Sequence, residues 1–227
     1  MKAKHLTING QNVIRLIIDG KVFWKGLHVG YTALDYIEST GTQWIDTGFV
    51  PDQDTRVICE FMWLSGDAIY GTRQSTAARN YAFRAIGTPK AWQPGYSVLV
   101  TTGIKADTNW HTAEQDKNLF YLDGFLVAEC EYTKFDAPKT FALGGINASN
   151  KMYYGQNRYR YCQIYNNGVL VRDLVPCKDP DGNIGMYDTL NAVFYGNAGT
   201  GEFVAGEITD MTSELGVATL GYMILGE

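Results

Sequence analysis

Two closely spaced carboxylates are the residues of this sequence best placed to share a proton-transfer reaction. Glu129 and Glu131 alternate in the segment ECE, and alternate residues of a β-strand lie on one face, at most about 7 Å apart. Such a pair could act as general acid and general base. A solvated sheet face is the simpler interpretation, because glutamate is rarely buried without a partner. His5, His28 and His111 are far apart in the sequence, so spacing defines no catalytic arrangement around them.

Residues 178–183, KDPDGN, are the segment that most resembles a metal-binding loop. Asp179, Asp181 and Asn183 alternate as at the start of a calcium loop. An EF-hand needs a glutamate at its twelfth position, which is Leu190 when the count starts at Asp179. Because these residues also favour turns, we predict a turn with no metal and no cofactor, and calcium is the alternative.

The four cysteines are spread along the chain and form no CxxC pair, so the sequence predicts no zinc site. They are Cys59, Cys130, Cys162 and Cys177. A free cysteine behaves as a small buried hydrophobic residue. We therefore expect reduced thiols in the core, and a disulfide is the alternative if the protein works outside a cell.

Aromatic and arginine side chains are concentrated in residues 72–103, the least regular stretch of the sequence. We predict long loops there, because binding groups are commonly placed on loops above a rigid scaffold. Aromatic faces stack on the apolar side of sugar rings, and we expect Trp92 to stand at the rim of such a site as its platform. The predicted glycan-binding residues are Arg73, Tyr81, Arg84, Trp92 and Tyr96. The alternative is that Trp92 and Tyr96 are core aromatics.

Composition excludes several classes of function. The chain has 227 residues, of which 45% are hydrophobic and 19% charged, so it can form a core and does not read as disordered. A net charge of −5 argues against binding nucleic acid or anionic membranes. The first residues, MKAKHLTINGQ, lack the apolar core of a signal peptide. No apolar run reaches eighteen residues, so we predict no membrane insertion.

Asn-Gly and Asp-Gly dipeptides separate the apolar runs and predict tight β-hairpins, because both residue types tolerate positive φ. These dipeptides are Asn9-Gly10, Asp19-Gly20, Asp123-Gly124 and Asn167-Gly168. The predicted pairs are Tyr121 with Leu126, Phe120 with Val127, and Tyr165 with Leu170. No segment before residue 207 keeps a helical apolar period. We therefore predict an all-β fold, a jelly-roll sandwich of two antiparallel sheets.

The first long ribbon, residues 13–25, is apolar on both predicted faces. A two-residue loop would pair Ile17 with Val22 and Leu16 with Phe23. An isolated hairpin is marginal in water, and exposed apolar surface of this size usually marks an interface. We predict that this ribbon attaches the chain to a partner subunit, and packing on its own domain is the alternative. The predicted interface residues are Ile14, Leu16, Ile17, Val22, Phe23 and Trp24.

These patterns divide the chain into three predicted parts. Residues 1–28 form the N-terminal attachment ribbon, residues 31–206 the main domain, and residues 207–227 a C-terminal tail. Gly216 and Gly221 weaken any helix in that tail.

Four segments of the main domain carry a resemblance to a known superfamily. They are YIESTGTQWIDTGF at 36–49, NWHTAEQDKNLFYLDG at 109–124, TFALGGIN at 140–147 and the long closing segment at 159–206. Together they resemble the concanavalin A-like lectin/glucanase superfamily, specifically laminin G-like modules of phage, prophage and gut-bacterial surface proteins. The resemblance implies a jelly roll in which the glycine-rich closing segment is structural. Residues 6–26 are similar to short N-terminal modules in structural proteins of phages that infect Gram-positive bacteria.

The resemblance implies a protein without enzymatic activity. Glycoside hydrolases of this superfamily carry E-x-D-x-x-E, in which two glutamates act as nucleophile and acid/base. The nearest match is EQDKNL at 114–119, where Leu119 replaces the last carboxylate.

The resemblance therefore implies a structural protein of a phage particle. We expect a tail or baseplate adhesion module, or a capsid decoration or fibre protein, assembled in the host cytoplasm. Its expected partners are other virion proteins, copies of itself and a host cell-surface glycan. A bacterial surface carbohydrate-binding module is one alternative, against which the missing signal peptide counts. A glycoside hydrolase is another, against which the incomplete carboxylate motif counts.

Overall fold

The structure is a computed structural model that describes residues 7–8, 11–12, 15–18, 21–75 and 78–208, with the backbone alone before residue 26. These residues form strands and no helix, so the predicted all-β fold is confirmed. The strands are β1 (Thr7–Ile8), β2 (Gln11–Asn12), β3 (Arg15–Ile18), β4 (Lys21–Lys25), β5 (Thr32–Ala33), β6 (Ile37–Thr40), β7 (Ile45–Asp46), β8 (Thr55–Gly66), β9 (Ala68–Arg73), β10 (Asn80–Ile86), β11 (Ala91–Leu99), β12 (Trp110–Asp116), β13 (Leu119–Leu122), β14 (Phe125–Glu129), β15 (Ala142–Leu143), β16 (Gly145–Ala148), β17 (Met152–Asn166), β18 (Val169–Lys178), β19 (Ile184–Asp188), β20 (Val193–Tyr195) and β21 (Val204–Ala205).

The strands from β5 onward make a β-sandwich, as the sequence predicts. In one layer the order is β14-β13-β12-β8-β17, and β6 and β18 pair with the far edge of β17. In the other layer the order is β11-β10-β9, with β15 and β16 along the far edge of β9. Strand β16 also pairs with the start of β17 and joins the two layers. The β16–β9 pair is parallel, so the second layer is mixed and not purely antiparallel.

Aromatic side chains fill the space between the layers. From Thr55 to Met62 of β8, buried and half-buried residues alternate, because successive side chains of a strand point to opposite faces. The inward Phe61 packs edge-on against Phe83 of β10, with ring centroids 5.5 Å apart. Across the sandwich, the buried hydroxyl of Tyr81 lies 2.9 Å from the carbonyl oxygens of both Thr55 and Gln115, which share its single proton as acceptors. Burial and these hydrogen bonds hold the two layers in one arrangement.

The predicted hairpins at Asp123-Gly124 and Asn167-Gly168 are present, and all four turn residues have positive φ. Tyr121 pairs with Leu126 and Tyr165 pairs with Leu170, which confirms both predictions. The pairing of Phe120 with Val127 is wrong, because Phe120 lies opposite Ala128. A β-bulge inserts Val127 as an unpaired residue and shifts the register there.

The same bulge occurs in the N-terminal ribbon, between β3 and β4. Ile17 pairs with Val22 as predicted, whereas Leu16 lies opposite Trp24 and not Phe23. In each of these hairpins the extra residue follows the turn glycine by three positions. Ile14, and the side chains of the other five predicted interface residues, lie outside the described part of the chain, so the attachment interface stays a prediction.

The first and last described residues of the sandwich meet at one edge. The backbone N–H of Asp35 donates to the carbonyl of Glu207 at 2.8 Å, and Leu34 bridges to Ile208. Residues 209–227 lie outside the described part. The division of the chain at residues 28 and 207 therefore stays a prediction.

All four cysteines are free and buried, as expected from their scattered positions. Cys59 and Cys162 face each other on neighbouring strands, and burial raises the pKa of the Cys59 thiol well above its usual value. Within the described residues there is no helix long and apolar enough to cross a membrane.

Candidate functional site

The predicted loops at residues 72–103 are wrong, because most of this stretch forms β10, β11 and the end of β9. Tyr81 pairs with Tyr96, and Trp92 pairs with Ala85, so these aromatics share the inward face. The outward positions between them hold small residues such as Ala82 and Gly95. The sequence therefore lacks the apolar–polar alternation that predicts a half-exposed strand.

Trp92 lies in the core and not at a rim. Its side chain is 1% exposed, and its ring centroid lies 5.4 Å from that of Phe83 and 5.7 Å from that of Phe61. Tyr81 and Tyr96 are equally buried, and burial raises the pKa of both hydroxyls. The prediction that these three rings contact a sugar is wrong in this structure, since their faces are covered by other core residues.

The two arginines of the predicted site lie on the opposite face from those rings. Arg84 pairs with Gln93, and its Nε donates to the Gln93 side-chain oxygen at 2.6 Å. Arg73 ends β9 on the same outward face. The strand pleat thus separates the five predicted residues into three inward aromatics and two outward arginines.

The carboxylates considered for catalysis do not assemble into a catalytic pair. Glu129 ends β14, whereas Glu131 lies beyond the strand, and both are exposed with buried Cys130 between them. Glu114 lies on β12 and pairs with Arg56, whose Nη2 is 2.8 Å from its carboxylate. The shared strand face predicted for Glu129 and Glu131 is therefore wrong.

His111 is held between two carboxylates. Its Nδ1 lies 2.7 Å from Asp123, its Nε2 lies 3.0 Å from Asp107, and its ring packs near Phe61 and Trp92. Ionised carboxylates only accept hydrogen bonds, so the protonated imidazolium, with a proton on each ring nitrogen, is the form that bonds to both. Burial alone would lower the pKa of His111, but the hydrogen bonds to Asp123 and Asp107 outweigh it and raise that pKa. Neither nitrogen is left for a substrate proton, which makes this a structural clamp.

The KDPDGN segment forms the predicted turn, and groups within the turn donate hydrogen bonds to the carboxylate of Asp179. The side chain of Asp179 accepts hydrogen bonds from the backbone N–H of Asp181 at 3.0 Å and of Asn183 at 2.8 Å. The side-chain amide of Asn183 donates to the same carboxylate at 2.8 Å. This amide bond, followed by the backbone bonds, lowers the pKa of Asp179. Within the described ranges, no group of three metal-ligating side chains is assembled.

That turn forms one wall of an open groove, whose other wall is the glycine-rich loop at residues 196–203. The groove has a volume of about 770 Å³, which is in the range of small-ligand sites. It is lined by Asp179, Asp181, Gly182, Asn183, Ile184, Phe194, Gly196, Asn197, Gly199, Gly201, Glu202 and Phe203.

The glycine-rich loop is fixed by the start of the sandwich. The side-chain oxygen of Asn197 accepts the backbone N–H of Trp44 at 3.2 Å and of Gly199 at 2.8 Å. The backbone N–H of Thr200 donates to the carbonyl of Thr42 at 3.2 Å. A Cβ at Gly199 would lie 2.0 Å from that same carbonyl oxygen, so only glycine fits there. The opening and closing segments quoted from the sequence thus contact each other and set the shape of the groove.

The groove combines hydrogen-bonding groups with an apolar surface. Asp181 and Glu202 are exposed, and neither carboxylate has a donor within the part of the chain that the structure describes. Phe194 and Ile184 add half-buried apolar surface. Carboxylates that accept from hydroxyls beside an aromatic ring suit a neutral, hydroxyl-rich ligand such as a sugar. The two negative charges disfavour an anionic ligand there.

Sequence reasoning missed this groove. The closing segment reads as structural and KDPDGN reads as a turn, and both interpretations agree with the structure. Nothing local indicates that the two segments face each other, because their proximity comes from the β18–β19–β20 pairing.

Comparison of the sequence with models of protein families, and with characterised proteins, found no match. The resemblances stated above therefore rest on the quoted motifs, and the superfamily stays an expectation.

Proposed function

We propose that this chain is a structural protein of a phage particle, whose β-sandwich binds a neutral host glycan in the groove between residues 179–184 and 196–203. The groove is the observation that carries the binding part of this proposal, because it offers free carboxylates and an aromatic ring in an open cleft of suitable size. The motif resemblances support the virion part. Attachment through the N-terminal ribbon follows from its apolar pattern.

The binding role is tested with two matched double variants. Asp181→Asn with Glu202→Gln removes the two free carboxylates of the groove, and Glu129→Gln with Glu131→Gln removes two exposed carboxylates elsewhere. We expect wild type and the second variant to bind the same glycans on an array, and the first variant to lose them. Equal binding by all three would exclude the groove as the glycan site.

Single-site affinity should be weak, because a shallow sugar contact buries little surface. Coupling many copies to a bead should raise the apparent affinity by about 10²–10⁴-fold, as multivalent attachment does. A wild-type protein that binds no glycan even when displayed in many copies is a decoration protein and not an adhesin.

The absence of catalysis is tested by incubation with β-glucans, host wall polysaccharide and teichoic acid. We expect no released reducing sugar or phosphate, since Leu119 stands in place of the last carboxylate of the E-x-D-x-x-E motif. Turnover that disappears in the Glu129→Gln, Glu131→Gln variant would contradict the proposal.

The virion role is tested by mass spectrometry and electron cryo-microscopy of purified particles. Deletion of residues 1–28 should leave a folded sandwich that no longer joins the particle. Normal incorporation of the shortened chain would show that the ribbon is not the attachment element. Loss of folding would show that the ribbon belongs to the core of the domain.

A further inference from the structure

Arg73 is a buried cation for which the described residues supply no counter-charge. Its side chain is 4% exposed, and its Nη1 has no hydrogen-bond partner there. Four other arginines of the sandwich each pair with a carboxylate; they are Arg56, Arg158, Arg160 and Arg172. A buried charge without a partner is costly. Arg73 therefore differs from those arginines, because no described carboxylate balances its charge.

The surroundings of Arg73 add positive charge. Its guanidinium carbon lies 4.2 Å from the ring centroid of Tyr153, and the Lys151 ammonium lies 4.5 Å from the same centroid. Lys151 is exposed and also forms no ion pair with a described residue. Both cations therefore lie against the ring of Tyr153, and an anion bound beside that ring would reduce their mutual repulsion.

Arg84 extends this positive surface along the outward face of the second layer. Burial is the main cause that lowers the pKa of Arg84, and the positive charge of Arg73 is the second. The two guanidinium groups therefore repel each other. The carboxylate that offsets part of this is Asp67, which is itself ion-paired with Lys90.

The face between the arginines is floored by small side chains. Ala68 and Ala82 are fully buried in a cluster with Ile146, against which Tyr153 packs. At Gly71 a Cβ would lie 2.3 Å from the carbonyl oxygen of Tyr81, so this part of the floor is bare backbone. These small residues are covered by the longer side chains packed around them, Ile146 and Tyr153 among them.

We propose that Arg73, Lys151 and Tyr153 form a binding site for an oxyanion, the phosphate or carboxylate group of an acidic glycan, with Arg84 adding to the positive field. Guanidinium and ammonium groups donate charge-assisted hydrogen bonds to such oxygens, and these are about twice as strong as neutral ones. The site shares no residue with the acidic groove and does not depend on the function proposed for it. An acidic polymer would bind here, while the groove repels it.

The test uses the full chain and three salts at equal ionic strength: sodium phosphate, sodium glucuronate and sodium chloride. We expect phosphate or glucuronate to raise the melting temperature more than chloride does, because a ligand that binds only the folded state stabilises it. Arg73→Met should weaken the dissociation constant for that anion at least tenfold. Without the anion it should melt no lower than wild type, since it removes an unpaired charge. Arg79→Met is the control: it removes an exposed arginine whose Nε donates to the backbone carbonyl of Asp136, and its response to the anions should match that of wild type.

The two anions separate the sources of the ligand. A response to phosphate alone indicates a phosphodiester polymer, and a response to glucuronate alone indicates a uronic acid polymer. Lys151→Gln changes an exposed side chain and should fold, and it should weaken anion binding several-fold. No response beyond chloride, or an unchanged response in both Arg73→Met and Lys151→Gln, would overturn the proposal.

An internal ion pair between Arg73 and a carboxylate outside the described residues is the competing explanation. Arg73→Met would then lower the melting temperature without added anion, and Asp210→Asn or Glu214→Gln would lower it equally. That result would replace the ligand site by an internal ion pair and would also overturn the proposal.

Discussion

Replacing Trp92 with alanine tests most directly whether this ring is core or binding platform. The indole is 1% exposed and has four ring neighbours, which are Phe61, Trp63, Phe83 and His111 at centroid distances of 5.4 to 6.0 Å. Emptying a buried Trp site costs about 3–5 kcal/mol. In a domain of this size each kcal/mol lowers the melting temperature by about 2–4 °C. We therefore expect a fall of about 6–20 °C.

Calorimetry of wild type, Trp92→Ala and Phe125→Ala checks this value. Phe125 is 75% exposed, and its loss should change stability by less than about 0.5 kcal/mol. Trp92→Phe should cost less than Trp92→Ala, because the indole N–H has no acceptor within the described residues and phenylalanine removes that unpaired donor. A Trp92→Ala protein that melts like wild type but loses glycan binding would refute the core assignment.

Three further predictions follow from single side chains. Tyr70→Phe should leave the melting temperature unchanged or raise it, because the buried hydroxyl has no partner among the described residues, whereas Tyr159→Phe loses a 2.7 Å hydrogen bond and about 1 kcal/mol. The raised pKa of His111 makes its contribution fully present below the unfolded pKa of about 6.5 and lost as pH rises through the folded pKa. His111→Gln should therefore lower the melting temperature more at about pH 5.5 than at about pH 9, and an equal effect at both would contradict the charged clamp. Gly199→Ala should cost about 1–3 kcal/mol by overpacking and disturb the groove, while Gly196→Ala, whose nearest neighbour would be 3.4 Å away, should cost little in thermal unfolding.

Local turn chemistry made part of this fold predictable. Asp123-Gly124 and Asn167-Gly168 fix two-residue turns through positive φ, and the adjacent pairs Tyr121–Leu126 and Tyr165–Leu170 follow from the loop length. Beyond those pairs the register depends on a bulge, which has no distinct residue signature in these hairpins. The predicted strand pairing is therefore right at Tyr121–Leu126 and wrong at the next pair, Phe120–Val127.

The groove was beyond sequence reasoning for a different reason. Its walls are short segments whose residue types indicate turns. The two segments lie side by side because of three consecutive antiparallel strands and because of contacts with Thr42 and Trp44, which are more than 150 positions away in the sequence. Long-range placement of this kind is a property of the whole sandwich. The residue types that could bind a sugar were visible, but which of them share a surface was not.

The pleat of β10 and β11 explains why the five predicted glycan-binding residues do not form one site. Tyr81, Trp92 and Tyr96 alternate inward with outward small or charged residues, so aromatic rings and arginines that are neighbours in sequence cannot contact one ligand. The rings stabilise the sandwich, and the arginines are left to act on the outer face. Because the layer between them is a single sheet, a change on the outer face at Arg84 leaves the core pairs of Tyr81 and Trp92 in place. Variants of Arg84 can therefore test the proposed anion site separately from the aromatic core.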